Sequence, residues 1–315
     1  MKISLLCFLI FIMSACATKP NNELKRMGEL YEVARNPEDG FNFPFFLWIP
    51  ETKEDKLNLL VIPNNSGSSQ KDYDSQYRSA KHEILSWINI ATETSSVLLM
   101  PVFFRPDVEP PLYTHSLSRS TLEVQNGDLK RIDLQLIKMV EKARPLITTK
   151  QNKPLRDKIY LFGFSASAMF VNRFSFLHPE LVSAIVFGAP GGWPLAPVNE
   201  LKGHKLRYPI GIADLDQLTG SKVELEKVRS IPMFIFLGEN DTNDSVIYRD
   251  GYSKEDEVLV FNLFGKTPVQ RWPTAESLYL SAGFNAQFKL YKGAGHETNK
   301  LVNGEIANFF NSIKH

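Results

Sequence analysis

From residue 29 onward, apolar positions fall into two alternating rhythms. Short runs at 57–62, 96–102, 159–164, 182–187 and 231–237 have the length and apolar density of buried strands, and 287–291 reads as a further strand. Residues 29–34 and 41–49 read as two further strands joined by a turn at 36–40, where Pro37 and Gly40 punctuate the chain. Between the runs the period changes. Tyr77, Ala80, Ile84, Trp87 and Ile88 share one face of a helix over 75–90, and Ile132, Leu136 and Val140 mark one over 129–140. Helices also read over 166–177, 274–282 and 304–313. Strands alternating with helices predict an α/β fold, a doubly wound, mostly parallel sheet with helices on both faces. No internal repeat breaks the pattern, so 29–315 reads as one domain, with 188–228 as a long irregular segment and candidate cap or rim insertion. A proline-rich loop covers 103–112.

The first residues follow a different logic. Lys2 precedes an apolar stretch over 3–13 that is too short for a comfortable membrane span, and the polar run Thr18-Lys19-Pro20-Asn21-Asn22 follows soon after it. This predicts a signal peptide over 1–16 and a flexible spacer over 17–28. Met13-Ser14-Ala15-Cys16-Ala17 resembles a bacterial lipobox, in which the cysteine is lipidated and becomes the new N-terminus. Met13 stands where leucine is more usual, so ordinary cleavage near Ala15 or Ala17 is the alternative. Cys7 and Cys16 are the two cysteines of the chain, so a protein lipidated on Cys16 has no other thiol for disulfides or metal ligation. The expectation is an exported protein anchored to a membrane by several acyl chains on Cys16. Ala17, with no aspartate in its place, resembles the outer-membrane default of such lipoproteins; a soluble secreted or periplasmic protein is the alternative.

Charge removes one class of function. With 36 Lys and Arg against 35 Asp and Glu in 315 residues, the formal net charge is +1, and the basic residues are dispersed, so no nucleic-acid footprint is expected. No His-Glu-x-x-His helix, Gly-x-x-x-x-Gly-Lys loop or Gly-x-Gly-x-x-Gly turn is present where metal or nucleotide binding would need it, so neither metal nor cofactor is expected. His82, His178, His204 and His315 read as surface or helix-end residues, and His115, after the proline-rich loop, is a weaker candidate for a cleft.

Catalytic groups of open α/β sheets gather beyond the carboxyl ends of strands, and three such ends carry a chemically coherent set. Ser165, in Gly163-Phe164-Ser165-Ala166-Ser167, sits on a sharp turn between the 159–164 strand and the 166–177 helix. Asp241, in Gly238-Glu239-Asn240-Asp241, follows the 231–237 strand; Asp244 competes with it, or else caps a helix starting near Val246. His296, in Gly293-Ala294-Gly295-His296, follows the last strand. A serine hydroxyl is a poor nucleophile until a neutral imidazole takes its proton, and a carboxylate fixes the imidazole tautomer.

In this order of serine, aspartate and histidine the chain resembles the α/β-hydrolase superfamily, particularly secreted esterases of the polyhydroxybutyrate-depolymerase-like and feruloyl-esterase-like kinds. Ser167 departs from the usual second glycine of the elbow. The resemblance implies Ser165 as nucleophile, His296 as general base and then acid, and Asp241 as the orienting carboxylate. It also implies an oxyanion site formed by the backbone N–H of Ala166 and one from the loop Pro63-Asn64-Asn65-Ser66-Gly67, through Asn65 or Ser66, where many relatives have His-Gly. The function expected is hydrolysis of a small-molecule or polymeric carboxylic ester. A serine peptidase of the same fold and a non-catalytic binding lipoprotein are the alternatives.

Overall fold

The computed structural model describes residues 27–65 and 69–313. Its strands, in chain order, are β1 (Gly28–Val33), β2 (Phe45–Pro50), β3 (Asn58–Val61), β4 (Ser96–Pro101), β5 (Ile159–Phe164) and β6 (Val182–Gly188), then β7 (Glu200–Leu201), β8 (His204–Lys205), β9 (Met233–Gly238) and β10 (Ala286–Tyr291). The helices are α1 (Tyr73–Ser86), α2 (Ile88–Glu93), α3 (Arg119–Leu122), α4 (Ile132–Gln151) and α5 (Ala166–Leu177). They continue with α6 (Leu215–Thr219), α7 (Leu225–Ser230), α8 (Lys254–Leu263), α9 (Pro268–Ser281) and α10 (Lys300–Asn311). β7 and β8 form a separate hairpin; the others build an 8-stranded sheet in the order β1-β2-β4-β3-β5-β6-β9-β10. β2 pairs antiparallel with β1 and β4, and every other neighbour pair in the sheet is parallel.

Alternation along the strands divides the core into two layers. Leu59, Val61, Leu99, Leu161, Phe187 and Ile235 face one side, packed with α4, α5 and α9 residues such as Leu136, Phe170 and Tyr279. Leu60, Leu98, Phe162, Val186 and Phe236 face the other, against Ile84, Ile90, Ile306 and Phe310 of α1, α2 and α10. Both sides of the central strands are therefore apolar, which is why they read as unbroken runs. The chain leaves β3 for β4 on one side and returns to β5 on the other. In open α/β sheets such a reversal is the point beyond whose carboxyl strand ends ligands bind, and here it lies beside β3 and β5.

Several elements differ from the sequence reading for identifiable reasons. α4 continues past 140 because its buried stripe continues through Ala143 and Ile147, with Pro145 accommodated inside the helix. The 75–90 helix divides at Trp87 into α1 and α2. α8 was not expected: its helical stretch begins Lys254-Glu255-Asp256-Glu257 and buries only Asp256 and Val260, so no apolar stripe announces it, although Ser253 and Asp256 form a capping box. α9 starts earlier than 274, with Thr267 as cap and Pro268 at the first helical position. Residues 188–228 are ordered by β7, β8, α6 and α7 and packed into a third apolar cluster with Met169 and Phe264. Trp193 there is fully buried, its ring stacked on Phe264 with 4.0 Å between centroids. Asn172 of α5 accepts the Leu195 N–H at 2.8 Å, and Tyr279 of α9 donates to the Leu195 carbonyl at 2.7 Å, so the segment is tied to two helices.

Candidate active site

Ser165 occupies the junction of β5 and α5 with φ 60° and ψ −120°, a conformation that costs a non-glycine residue about 1–3 kcal/mol and persists only where its surroundings enforce it. Several contacts do so here. The Ser165 N–H donates to the Gly188 carbonyl at 3.0 Å, extending the ladder with β6. A Cβ at Gly163 would collide with the backbone carbonyl of Ser167, so only glycine lets the helix fold back this closely over the strand. Ser167 itself has a use: its hydroxyl accepts the Phe164 N–H at 3.0 Å and donates to the Phe164 carbonyl at 2.9 Å. Asn65, arriving from the end of β3, donates its Nδ2 to the same carbonyl at 2.9 Å. Ala166, buried at the first position of α5, carries one of the four amides for which a helix has no internal acceptor.

Asp241 and His296 meet across the ends of β9 and β10. His296 Nδ1 lies 2.9 Å from Asp241 Oδ2, with the aspartate side chain 1 % exposed and the imidazole 27 % exposed. The other carboxylate oxygen, Oδ1, accepts the Asn243 N–H at 2.9 Å, so both oxygens are held. The two loops approach closely because position 238 is glycine; a Cβ there would strike the carbonyls of Ala294 and Gly295. Asn240 N–H to Ala294 O at 2.8 Å and Gly293 N–H to Glu239 Oε2 at 3.0 Å fasten the loops together. The Phe164 ring flanks the imidazole with 4.8 Å between centroids. Asp244 points elsewhere: it takes a bidentate pair of 2.8 Å hydrogen bonds from Arg271 of α9 in a buried ion pair. It also accepts the Val246 N–H at 2.9 Å, but the residues after it form a turn rather than a helix.

The sequence reading passed over Asn243. Its Nδ2 lies 3.3 Å from Ser165 Oγ and 3.0 Å from His296 Nε2, bridging the two. Among the described residues, no direct hydrogen bond joins Ser165 to His296.

In the loop after β3, one expected donor is engaged elsewhere. The Asn65 backbone N–H, one of the two donors proposed from the sequence, is taken by Glu83 Oε2 of α1 at 2.9 Å and so is not free to hold an oxyanion in this arrangement. Desolvation pushes the Glu83 carboxyl up to about 7, against the opposing pull of the Asn65 N–H. The other donor proposed, Ser66, lies outside the described residues, as does Cys16. His115 is fully buried, with Nε2 2.7 Å from the Phe103 carbonyl and 3.1 Å from Asn64 Nδ2. Asn64 also pairs with both backbone groups of Phe103, so His115 belongs to the brace between the ends of β3 and β4 rather than to the site. Among the described residues, no group of three or more His, Cys, Asp or Glu is placed to hold a metal ion.

Solved structures of the same architecture exist. Poly(aspartic acid) hydrolase-1 from Sphingomonas sp. KT-1 superposes with a TM-score of 0.59 over 91% of this chain and 98% of its own, at 18% sequence identity. LpqC, a poly(3-hydroxybutyrate) depolymerase from Bordetella parapertussis, does so with a TM-score of 0.56 over 91% of this chain and 89% of its own, at 17% identity. The fold is that of the α/β-hydrolases. No protein-family model matches the sequence, and no curated protein matches it. At these identities the likeness is one of fold, and within that fold Ser165 stands on the elbow between β5 and α5, while Asp241 and His296 follow β9 and β10.

Proposed function

We propose that the protein is an exported serine hydrolase that cleaves carboxylic esters through an acyl-enzyme on Ser165. The observation that carries this reading is the 2.9 Å contact between Asp241 Oδ2 and His296 Nδ1 beside a serine held in a strained strand-to-helix turn. With Nδ1–H donated to the carboxylate, the imidazole lone pair sits on Nε2, the atom that has to accept the Ser165 proton. Ser165 Oγ adds to the ester carbonyl, and Ala166 N–H supports the oxyanion that forms. His296 returns the proton to the departing alcohol, and water then repeats the sequence on the acyl-enzyme. Replacing Ser165 with alanine should abolish hydrolysis of a short p-nitrophenyl ester while leaving the protein folded; undiminished turnover would remove the proposal. Parallel assays on peptide amides separate esterase from peptidase, since both chemistries use this arrangement.

Export and anchoring form the second part of the proposal, resting on the sequence alone. Cys16→Ser should shift the protein from the membrane to the soluble fraction or leave it unprocessed, and unchanged fractionation would contradict a lipid anchor. Among the described residues, no helix is long and apolar enough to cross a membrane.

A further inference from the structure

We infer that Asn243 is a built-in inhibitory cap, whose carboxamide covers the proton-accepting nitrogen of His296 in the resting enzyme and is displaced when substrate enters. This rests on the reading of Ser165 as the nucleophile. The geometry is specific: one amide nitrogen lies 3.0 Å from His296 Nε2 and 3.3 Å from Ser165 Oγ. A carboxamide NH2 group carries two hydrogens and can serve two acceptors at once.

The orientation of the amide follows from the imidazole. In the neutral ring, Nδ1–H donates to Asp241 Oδ2 at 2.9 Å, and Nε2 keeps the only free lone pair. Turning the Asn243 side chain over would set its carbonyl oxygen against that lone pair, so the donor orientation is the one compatible with a neutral base. The consequence is competitive. While the Asn243 N–H occupies Nε2, the Ser165 hydroxyl has no acceptor there, and the proton transfer that activates it cannot begin.

The cap is also built to move. Asn243 is exposed, so its carboxamide can exchange the contact for water. Its backbone is anchored independently, by its own N–H to Asp241 Oδ1 at 2.9 Å, so the side chain can swing without dragging the carboxylate from His296. The space it fills, within hydrogen-bond reach of both Oγ and Nε2, is where a leaving alcohol must lie to receive its proton from His296. Cap and substrate therefore exclude one another.

The test is the second-order rate of reaction with a small fluorophosphonate, in which Oγ bonds to phosphorus, fluoride departs and the Oγ proton passes to Nε2. Asn243→Ala should react about fivefold faster than the native protein, the effect of removing one ordinary hydrogen bond from the resting state. Asn243→Ser, too short to span both atoms, should show the same gain, which guards against a defect peculiar to one variant. An equal or slower rate in both variants, with the native protein reacting, overturns the cap while leaving the nucleophile intact. No reaction in the native protein or in either variant overturns the serine-hydrolase reading itself. Reaction confined to the variants supports both, with a cap strong enough to silence the resting enzyme.

Discussion

Glu83 and Asp241 are both carboxylates that accept a backbone N–H from a loop at the end of a strand. Asp241 is held by a backbone N–H and by the imidazole, and its replacement by asparagine keeps the shape while removing the charge that fixes the His296 tautomer. The expected result is a fall in kcat of about 10⁴-fold with little change in KM, measured on a p-nitrophenyl ester. Glu83 sits partly buried under the β3 loop, and desolvation raises it from 4.5 to about 7. An acid raised on folding binds its proton more tightly in the native state, so its contribution is most favourable below 4.5 and is lost as pH rises towards 7. Glu83→Gln cannot ionise and should not undergo this loss. Thermal melts across that window should show the variant gaining on the native protein as pH rises; parallel curves would contradict the assignment. At this scale, Ser165, Asp241 and His296 were legible because each is a reactive residue just beyond a strand end. Asn243 and the Glu83–Asn65 contact were not, because which side chains meet across loops depends on tertiary approach rather than on any local pattern.

Elements set the distances between these residues. The loops after β9 and β10 lie against each other because Gly238 offers no side chain, and this packing brings Asp241 to His296. Gly238→Ala should push the His296 loop away and cost roughly a hundredfold in kcat, the scale of a displacement of about 1 Å. Circular dichroism should remain native-like, and an unchanged kcat would show that the loops do not depend on this approach. The central strands were readable because both faces are buried, as Leu60 and Val61 illustrate on adjacent positions. α8 was not, because its exposed charged face hides the period. Residues 188–228 were read as irregular because their order comes from contacts with other elements: Asn172 and Tyr279 hold Leu195, and Trp193 stacks on Phe264. The fully buried Arg173 of α5 donates to the Ser116 carbonyl at 2.6 Å and to the Tyr252 hydroxyl at 3.1 Å, and that hydroxyl in turn accepts the Trp193 N–H at 3.2 Å.

For the whole molecule, the sheet order explains why groups so distant in sequence share one site. The strand order reverses at β3 and β5, α5 begins directly after β5, and β9 and β10 bring two more loops to the same end of the sheet. Helices cover both broad faces of the sheet, and the loops that carry Ser165, Asp241 and His296 lie beyond its carboxyl end. The proposed chemistry depends on the hydroxyl of Ser165. Incubation with a fluorophosphonate followed by intact-mass and peptide mass spectrometry tests it directly. A nucleophilic Ser165 gives one covalent adduct, located on Ser165 and absent from Ser165→Ala. A folded protein that forms no adduct, or one whose adduct persists in Ser165→Ala, would contradict it.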